Sequence, residues 1–233
     1  MLNFKLLTSF FVLVVLVALM GSVFAQQYVP GVVEGNYVMY GNFVGIGPGF
    51  ESFNDYDWLK LEVVNVVGNE VTLLSTGLFK DGSPIPGNGT LTVWNVETGE
   101  ENGVPSTQGP IIAANLMQGD AIPPPNTYTL NKTEDRTYLG VSRSVNILDL
   151  KIVTPDYESN LNYVYDGGLG ILLESKSIII QTQPESFTSE YSYSVIETNI
   201  FNAPPIPEFI GVATVIAGVI VILTVLVFKK RIK

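Results

Sequence analysis

Apolar and polar residues alternate over short segments rich in Val, Ile, Tyr and Thr, and these segments are separated by Gly, Pro, Asn and Asp. A period of two places successive side chains on opposite faces of a strand, and no stretch keeps the 3.6-residue period of an amphipathic helix for three turns. All 11 tyrosines, both tryptophans and six of the 12 phenylalanines lie in residues 26–207. The pattern predicts an all-β, antiparallel, hairpin-rich domain, built either as a sandwich or as one curved sheet.

The clearest hairpin is predicted for residues 58–67 and 70–76, which flank Gly68-Asn69. Both turn residues are expected to take the positive φ angles of a two-residue loop. The first strand is apolar on one face and polar on the other in its first half, whereas residues 63–67 are apolar on both faces. One covered face does not need this second set of apolar residues, and the surplus favours a curved sheet that wraps an apolar pocket.

Further strands are predicted on both sides of Asp81-Gly82, over 89–96 before a turn at Thr98-Gly99, and over 192–200, where the last strand closes the sheet. One long strand is expected over 136–153, bent at Ser144 or Asn146. A hairpin is expected with strands 163–166 and 171–174 and the turn 167–170. The predicted core contains Trp58, Leu61, Val63, Leu73, Trp94, Ile147 and Tyr165.

The N-terminus has the pattern of a secretory signal peptide. Lys5 precedes eleven consecutive apolar residues, 10–20, and small residues follow up to Ala25. Residues 1–25 are therefore predicted to be a signal helix that is cut before Gln26. An uncleaved anchor helix is the alternative, and either one exports the rest of the chain.

A 20-residue run, 209–228, contains only Gly and Thr as non-apolar members. At about 1.5 Å per residue, this length matches a hydrocarbon core of about 30 Å. The run is predicted to be one transmembrane helix. The basic residues after it stay in the cytoplasm, which places residues 26–202 outside the cell as a β-domain. The basic tail 229–233 contains Lys229, Lys230, Arg231 and Lys233.

Residues 203–208 contain three prolines and are predicted to form a stiff stalk between the domain and the membrane. Pro207-Glu208-Phe209, followed by an apolar span and a basic cluster, resembles the PEF-type sorting tails of archaeal surface proteins, which are proposed substrates of archaeosortases. Many such tails have a further proline where this chain has Ile210.

Four other pieces resemble a recurring pattern in uncharacterised archaeal exported proteins, a family without an assigned chemistry. They are residues 31–40, Tyr138-Leu139-Gly140-Val141, Tyr165-Asp166-Gly167-Gly168 and Glu197-Thr198-Asn199. The hairpin arrangement is also similar in architecture to the curved-sheet lipoprotein carriers of bacteria.

Composition excludes several function classes. The chain has no Cys and no His, which excludes disulfides, thiolate nucleophiles, Cys/His zinc sites and imidazole-containing triads. Residues 26–207 contain 21 of the 22 acidic residues but only seven of the 12 basic residues, a net charge of −14. Nucleic acid is therefore not an expected partner.

Three local patterns contain residues that could carry chemistry. Asn54, Asp55 and Asp57 offer oxygen ligands of the type that Ca²⁺ accepts, although a solvated acidic loop is the preferred interpretation because the other EF-hand positions are missing. Gly45-Ile46-Gly47-Pro48-Gly49 contains a GxG pattern but is interpreted as a loop, because no helix is predicted after it whose N-terminus could bind a phosphate. Asn88 and Asn131 begin glycosylation sequons in polar, turn-like surroundings.

Three functions follow from these features. The first is a membrane-anchored extracellular domain, not an enzyme, that acts either as a cell-surface interaction protein for envelope or S-layer components or as a structural protein of the envelope. The second is a curved-sheet carrier of a lipid or other apolar ligand at the outer face of the membrane, which would have a cavity. The third is a carboxylate-dependent hydrolase, which would have a cleft with two acids whose pKa values are shifted in opposite directions.

Overall fold

The structure is a computed structural model of the chain, and it describes residues 28–106, 109–122, 128–183 and 185–202. Regular structure in these ranges is β-strand apart from two short 3-10 segments, Glu51–Asp55 and Ile200–Asn202, so the all-β prediction is confirmed. The strands are β1 Tyr37–Ile46, β2 Tyr56–Val67, β3 Glu70–Phe79, β4 Thr90–Asn95, β5 Glu100–Glu101, β6 Val104–Pro105, β7 Ala121–Ile122, β8 Tyr128–Thr129, β9 Lys132–Tyr138, β10 Val141–Val153, β11 Tyr157–Asp166, β12 Leu172–Gln181 and β13 Phe187–Thr198.

Eleven of these strands form one antiparallel sheet in the order β6-β5-β4-β3-β2-β1-β13-β12-β11-β10-β9, and β7 pairs with β8 separately. The first strand, β1, lies in the middle of the sheet, and β2 to β6 follow it in order to one edge. The chain then crosses to the opposite edge at β9, and β10 to β13 follow in order back to the middle. The final strand β13 therefore pairs with β1 and β12 at the centre. The last predicted strand, 192–200, therefore belongs mostly to β13, which lies at the centre of the sheet.

The sheet curls around a segment that crosses one of its faces. Gly109 lies so close to Trp94 of β4 that a Cβ on this glycine would be 3.0 Å from the indole ring, and its carbonyl accepts a hydrogen bond from the Tyr165 hydroxyl of β11 at 3.2 Å. Six strand-to-strand steps separate β4 from β11, which is about 29 Å in a flat sheet at about 4.8 Å per step. Two aromatic side chains cannot span that distance, so the face that contains Trp94 and Tyr165 is concave.

Of the two predicted architectures, the structure has the curved sheet. All long strands belong to it, and it lies in a compact unit that ends at Ile200. Its concave face is covered by the segment 109–116, in which Ile111, Ile112, Ala113 and Leu116 are buried.

The β2–β3 hairpin forms with the predicted two-residue turn, but two details differ. Only Gly68 has a positive φ, 59°, which is the pattern of a type II′ turn. The β2–β3 register shifts between Val63 and Asn65, so Val64 is the extra residue of a β-bulge. After the bulge Val66, not Val67, lies on the concave side, opposite the buried Val71.

The bulge explains the two-sided apolar run in β2. The extra residue of a bulge reverses which side chains face each side of the sheet from that point on. One apolar face is therefore formed by odd-numbered residues before Val64 and by even-numbered residues after it. The additional apolar residues at 63–67 therefore follow from the bulge.

The single strand predicted over 136–153 is two strands. Tyr138 pairs with Val141, and Leu139 and Gly140 form the turn with φ angles of 50° and 82°. A two-residue turn with two positive φ angles normally begins with Asn, Asp or Gly, so a leucine at this position gave no turn signal in the sequence. The hairpin predicted at 167–170 forms as expected, with longer strands on each side.

The predicted core is confirmed for six of its seven residues, and the exception is Trp58. This tryptophan is only half-buried because it shares the outer face of β2 with Lys60 and Glu62. The six buried residues are Leu61, Val63, Leu73, Trp94, Ile147 and Tyr165.

Both predicted membrane-associated ends lie outside the described residues: the signal helix 1–25, the stalk 203–208, the span 209–228 and the tail 229–233. Within the described ranges, no helix has the length and apolarity needed to cross a bilayer.

Candidate binding site

The concave face contains a cavity of about 220 Å³ beneath the segment 109–116. Its wall is formed by side chains of β1, β2, β11 and β13 and by Leu172 at the start of β12. Gly109 and Pro110 of the crossing segment form its roof. We call it the tyrosine cavity. Its lining residues are Tyr40, Leu59, Leu61, Gly109, Pro110, Tyr163, Leu172 and Tyr193.

The roof of the cavity is held by backbone hydrogen bonds to the β11–β12 loop. The Leu172 amide donates to the Pro110 carbonyl at 2.9 Å, and the Ile112 amide donates to the Gly170 carbonyl at 2.8 Å. Gly170 has a φ of 72°, and a Cβ there would lie 2.1 Å from the Ile112 carbonyl oxygen. Only glycine allows this close approach. The position of the roof therefore depends on the conformation of the β11–β12 loop.

A buried ion pair fixes that loop. The Asp166 carboxylate accepts hydrogen bonds from Arg143 Nε at 2.7 Å and Nη2 at 3.0 Å. It also accepts the backbone amides of Gly168 at 3.0 Å and Leu169 at 2.9 Å. The Asp166 side chain is fully buried, whereas 23% of the Arg143 side chain is exposed. Four hydrogen bonds, two of them from a charged donor, therefore satisfy this buried carboxylate.

The tyrosines of the concave face are uncharged over the physiological pH range. Burial raises the pKa of Tyr40, Tyr163 and Tyr165 well above the ordinary value of 10, and it raises the pKa of Tyr193 to about 12. The rings of Tyr40 and Tyr193 contact each other edge to face, with 5.3 Å between their centroids, and those of Tyr163 and Tyr165 are tilted with 6.5 Å between centroids. The tyrosines therefore make the cavity wall aromatic and neutral.

Among the described residues, three further hydroxyls are buried on the concave face, those of Tyr163, Ser175 and Ser177. The Tyr163 hydroxyl lies within hydrogen-bonding reach of Tyr191, and the Ser175 hydroxyl lies within reach of Tyr193. Tyr163, Ser175 and Ser177 are each at least 97% buried. Tyr163 lines the cavity, and Ser175 pairs with both Tyr163 and Tyr193 in the sheet, so all lie on one face. The Tyr40 hydroxyl donates to the Leu172 carbonyl at 2.8 Å.

The predicted calcium residues have other roles in the structure. The Asn54 side chain makes two hydrogen bonds with the backbone of Gly45, accepting its amide at 3.0 Å and donating to its carbonyl at 2.6 Å. Asp55 and Asp57 are exposed, and no group of three or more acidic side chains within the described ranges is close enough to hold a metal ion. Calcium binding by Asn54, Asp55 and Asp57 remains a prediction.

Both sequon asparagines are exposed. The Asn88 amide oxygen accepts the Gly77 amide at 2.8 Å, and the Asn131 amide oxygen accepts the Asp149 amide at 2.5 Å. Glycans attach to the side-chain nitrogen, which these bonds do not use. Glycosylation at Asn88 and Asn131 remains a prediction that this geometry permits.

Carboxylates gather on the opposite face, around Arg136 of β9. The guanidinium donates to Glu134 at 2.8 Å and reaches Glu174 of β12 at 3.2 Å. Hydrogen bonds from Lys132 and then from Arg136 hold the pKa of Glu134 below its usual range. The network shares its face with the fully buried Val145 and Val164 and covers them. An arginine held between two acids is the arrangement of an ion-pair network.

Sequence reasoning did not identify the tyrosine cavity. A signal for it was present in two Tyr-x-Tyr pairs, Tyr163 with Tyr165 and Tyr191 with Tyr193, since this spacing puts both rings on one face of a strand. The sequence did not show that the two pairs lie two strands apart on the same concave face.

The predicted sorting motif Pro207, Glu208 and Phe209 and the basic residues Lys229, Lys230, Arg231 and Lys233 lie outside the described residues. No protein-family model matches the chain, and no curated protein is significantly similar to it.

Proposed function

We propose that this protein binds a small, predominantly apolar ligand in the tyrosine cavity, as an exported domain tethered to the outer face of a membrane. The observation that carries this proposal is a roofed space of about 220 Å³ on the concave face of a single sheet, lined by aromatic and leucine side chains. Pockets for drug-sized ligands hold about 300–1,000 Å³. The cavity therefore suits a small ring or one end of a longer apolar molecule.

The lining favours binding over catalysis. Of the described residues that form the wall and roof, none carries a carboxylate, an amine or a guanidinium. General acid–base chemistry needs a group that titrates near the working pH. The tyrosines cannot serve because burial raises their pKa values further above neutrality. A carrier or receptor needs only complementary shape and a few polar contacts.

The tethered location rests on the sequence. The signal pattern 1–25, the apolar run 209–228 and the basic tail place the domain outside the cell, next to the lipid bilayer. An apolar ligand partitions into that bilayer, so a binding domain held at its surface is well placed to take it up or deliver it. The resemblance of residues 207–209 to archaeal sorting tails agrees with surface attachment.

A second candidate is an interaction domain for an envelope component, and one feature of the opposite face favours it. Two adjoining surface grooves of about 240 and 280 Å³ share Asn162 and Lys176. Amide and charged side chains line both grooves. The smaller groove also contains Leu150, Leu161 and Ile178, and the larger one also contains serine hydroxyls, including that of Ser192. Such a surface suits a polar partner, and the cavity does not.

The test of cavity binding measures the melting temperature of the full chain in mild detergent, with and without methylcyclohexane or cyclohexanol. A ligand that binds only the folded state raises the melting temperature by mass action. We expect both probes to stabilise the wild type, and we expect Leu172→Phe, which fills the cavity, to abolish the shift. Leu91→Phe is the matched control, because Leu91 is 58% exposed on β4 and is not a lining residue.

The proposal fails if neither probe raises the melting temperature, or if Leu172→Phe and the wild type respond equally. Because the probes partition into detergent equally in every sample, only the difference between variants reports the site. The second candidate predicts instead that Asn162→Arg reduces co-purification of envelope components while the response to the probes stays unchanged.

A further inference from the structure

We propose that the ligand is an elongated apolar chain that begins in the tyrosine cavity and continues over a group of aromatic rings on the same concave face. This inference rests on the proposed cavity binding and adds the chemical class of the ligand. We call the six rings the aromatic cluster. They belong to Phe43, Phe50, Phe53, Tyr56, Phe79 and Tyr191.

The cavity alone is too small for a long chain. It encloses about 220 Å³. If each methylene takes about the 30 Å³ that a water molecule occupies in the liquid, the cavity holds about seven carbon atoms. The rest of a longer molecule must therefore lie outside the cavity.

Side-chain exposure shows on which side the cavity wall opens. Four of its six residues are buried, whereas Leu59 and Tyr193 remain partly exposed. Both adjoin the aromatic cluster. The Tyr193 ring contacts that of Phe43 with 5.7 Å between centroids, and Leu59 lies three residues after Tyr56 on β2. The cavity therefore opens towards the aromatic cluster.

A second β-bulge in β2 brings Tyr56 into the cluster. The β2–β3 register shifts between Tyr56 and Trp58, so Asp57 is the extra residue. Residues two apart in a regular strand share a face, and the bulge reverses this relation. Tyr56 therefore contacts Phe43 on the concave side, with 5.3 Å between ring centroids, while Trp58 lies on the outer face.

The rings form a continuous surface that leads away from the cavity. Phe53 is at its centre, stacked on Tyr56 at 5.6 Å and on Tyr191 at 5.1 Å, and Phe50 lies 4.8 Å from Tyr191. Of the six rings, only that of Phe43 is buried. Contiguous exposed apolar surface is characteristic of ligand grooves and interfaces. Because this surface begins where the cavity opens, one apolar chain can occupy both.

The test compares hexanol, which fits within the cavity, with dodecanol, which exceeds it by about five carbon atoms. Alkanols are used because Glu51, Asp55 and Asp57, which are exposed beside the cluster, would repel a carboxylate head group. Dissociation constants come from the dependence of the melting temperature of the full chain on alkanol concentration. A steroid-based detergent avoids competition from detergent alkyl chains.

Tyr56→Ala should weaken dodecanol binding by about fourfold and leave hexanol binding unchanged. Fourfold is the contribution of about one buried methylene, which is the least chain surface that a ring face covers. Trp58→Ala is the matched control, because Trp58 is a partly exposed ring of the same strand on the opposite face. It should change neither dissociation constant.

A second cluster variant, Phe50→Ala, keeps the test valid if Tyr56→Ala does not fold. It should act in the same direction, because Phe50 belongs to the cluster and does not line the cavity. The ratio of dissociation constants between variant and wild type cancels the partition of each alkanol into detergent.

The outcomes separate the two proposals. If the cluster variants weaken both alkanols by the same factor, or weaken neither, the inference is wrong while cavity binding stands. The inference is also wrong if Trp58→Ala reproduces the loss, or if light scattering shows a wild-type dimer that Tyr56→Ala dissociates, since a second copy would then cover the cluster. If neither alkanol binds the wild type, the proposed function is wrong and the inference falls with it.

Discussion

Replacing Asp166 with alanine tests how the β11–β12 loop and the cavity roof are held. The carboxylate accepts two hydrogen bonds from Arg143 and two from loop amides, and it is fully buried. Breaking a buried pair by removing one partner costs about 3–5 kcal/mol. The lower end applies here because 23% of the Arg143 side chain is exposed and regains water.

The loss of the hydrogen-bond acceptor for the two loop amides adds to this destabilisation. Leu169 is 8% exposed, so losing the acceptor for its amide costs about 1–3 kcal/mol, whereas the exposed Gly168 amide can bond water. Asp166→Ala should therefore destabilise the fold by about 4 kcal/mol. Domains of this kind have a free energy of unfolding of about 5–15 kcal/mol, so the variant is expected to fold with a much lower urea midpoint.

A double-mutant cycle isolates the ion pair. Asp166→Asn keeps an oxygen for the loop amides and loses the charge, and Arg143→Met keeps an apolar stem. Each single change leaves a polar partner without its charged counterpart, so the double variant should be less destabilised than the sum of the two by about 2 kcal/mol. Urea unfolding of the full chain in mild detergent measures all four proteins.

Two results would refute this reasoning. If Asp166→Ala lowers the free energy of unfolding by less than about 1 kcal/mol, the carboxylate does not hold the loop. If the two single changes are additive, Arg143 and Asp166 do not act as a pair in solution.

Three further outcomes are expected. Leu139→Asn should raise the free energy of unfolding, measured in urea, by about 0.5–1 kcal/mol. Leu139 has a φ of 50° and is 50% exposed, and asparagine adopts this left-handed conformation more readily than leucine. A lower free energy of unfolding would contradict the turn geometry. The free energy of unfolding should fall between pH 10 and pH 12, because the pKa of Tyr193 is about 12 in the folded state and about 10 in the unfolded chain, where this tyrosine therefore ionises at lower pH. Urea midpoints measured together with tyrosinate absorbance test this. A urea midpoint that stays constant up to pH 12 would contradict it. A tag placed after Lys233 should be inaccessible from outside intact cells while added protease removes residues 26–207; an accessible tag would overturn the predicted topology.

The sequence by itself determined the strand content and the hairpins with turn signals. Gly68 and residues 167–170 mark turns because glycine adopts positive φ without strain, and alternation placed Leu61, Val63 and Leu73 in the core. These features are local, so each can be derived from a few neighbouring residues. The turn at Leu139 was missed because leucine is an unusual choice for that conformation.

Tertiary structure decided what depends on residues far apart in the chain. The pairing of β1 with β13 joins strands more than 140 residues apart, as in Val44 with Ser192. The bulge at Val64 changes which face of β2 is buried, and no local signal in the sequence marks it. Register and strand order are set by packing of the whole sheet, in which many pairings satisfy the same local pattern.

The tyrosine cavity belongs to this second group. Its wall combines Tyr40, Leu59 and Tyr163, which come from three strands, and its roof at Gly109 comes from a segment between strands. These residues meet only because the sheet curls, and the curl follows from strand twist and bulges summed over eleven strands. The sequence therefore determined that these tyrosines belong to strands, and the curvature of the sheet decided that they enclose a common space.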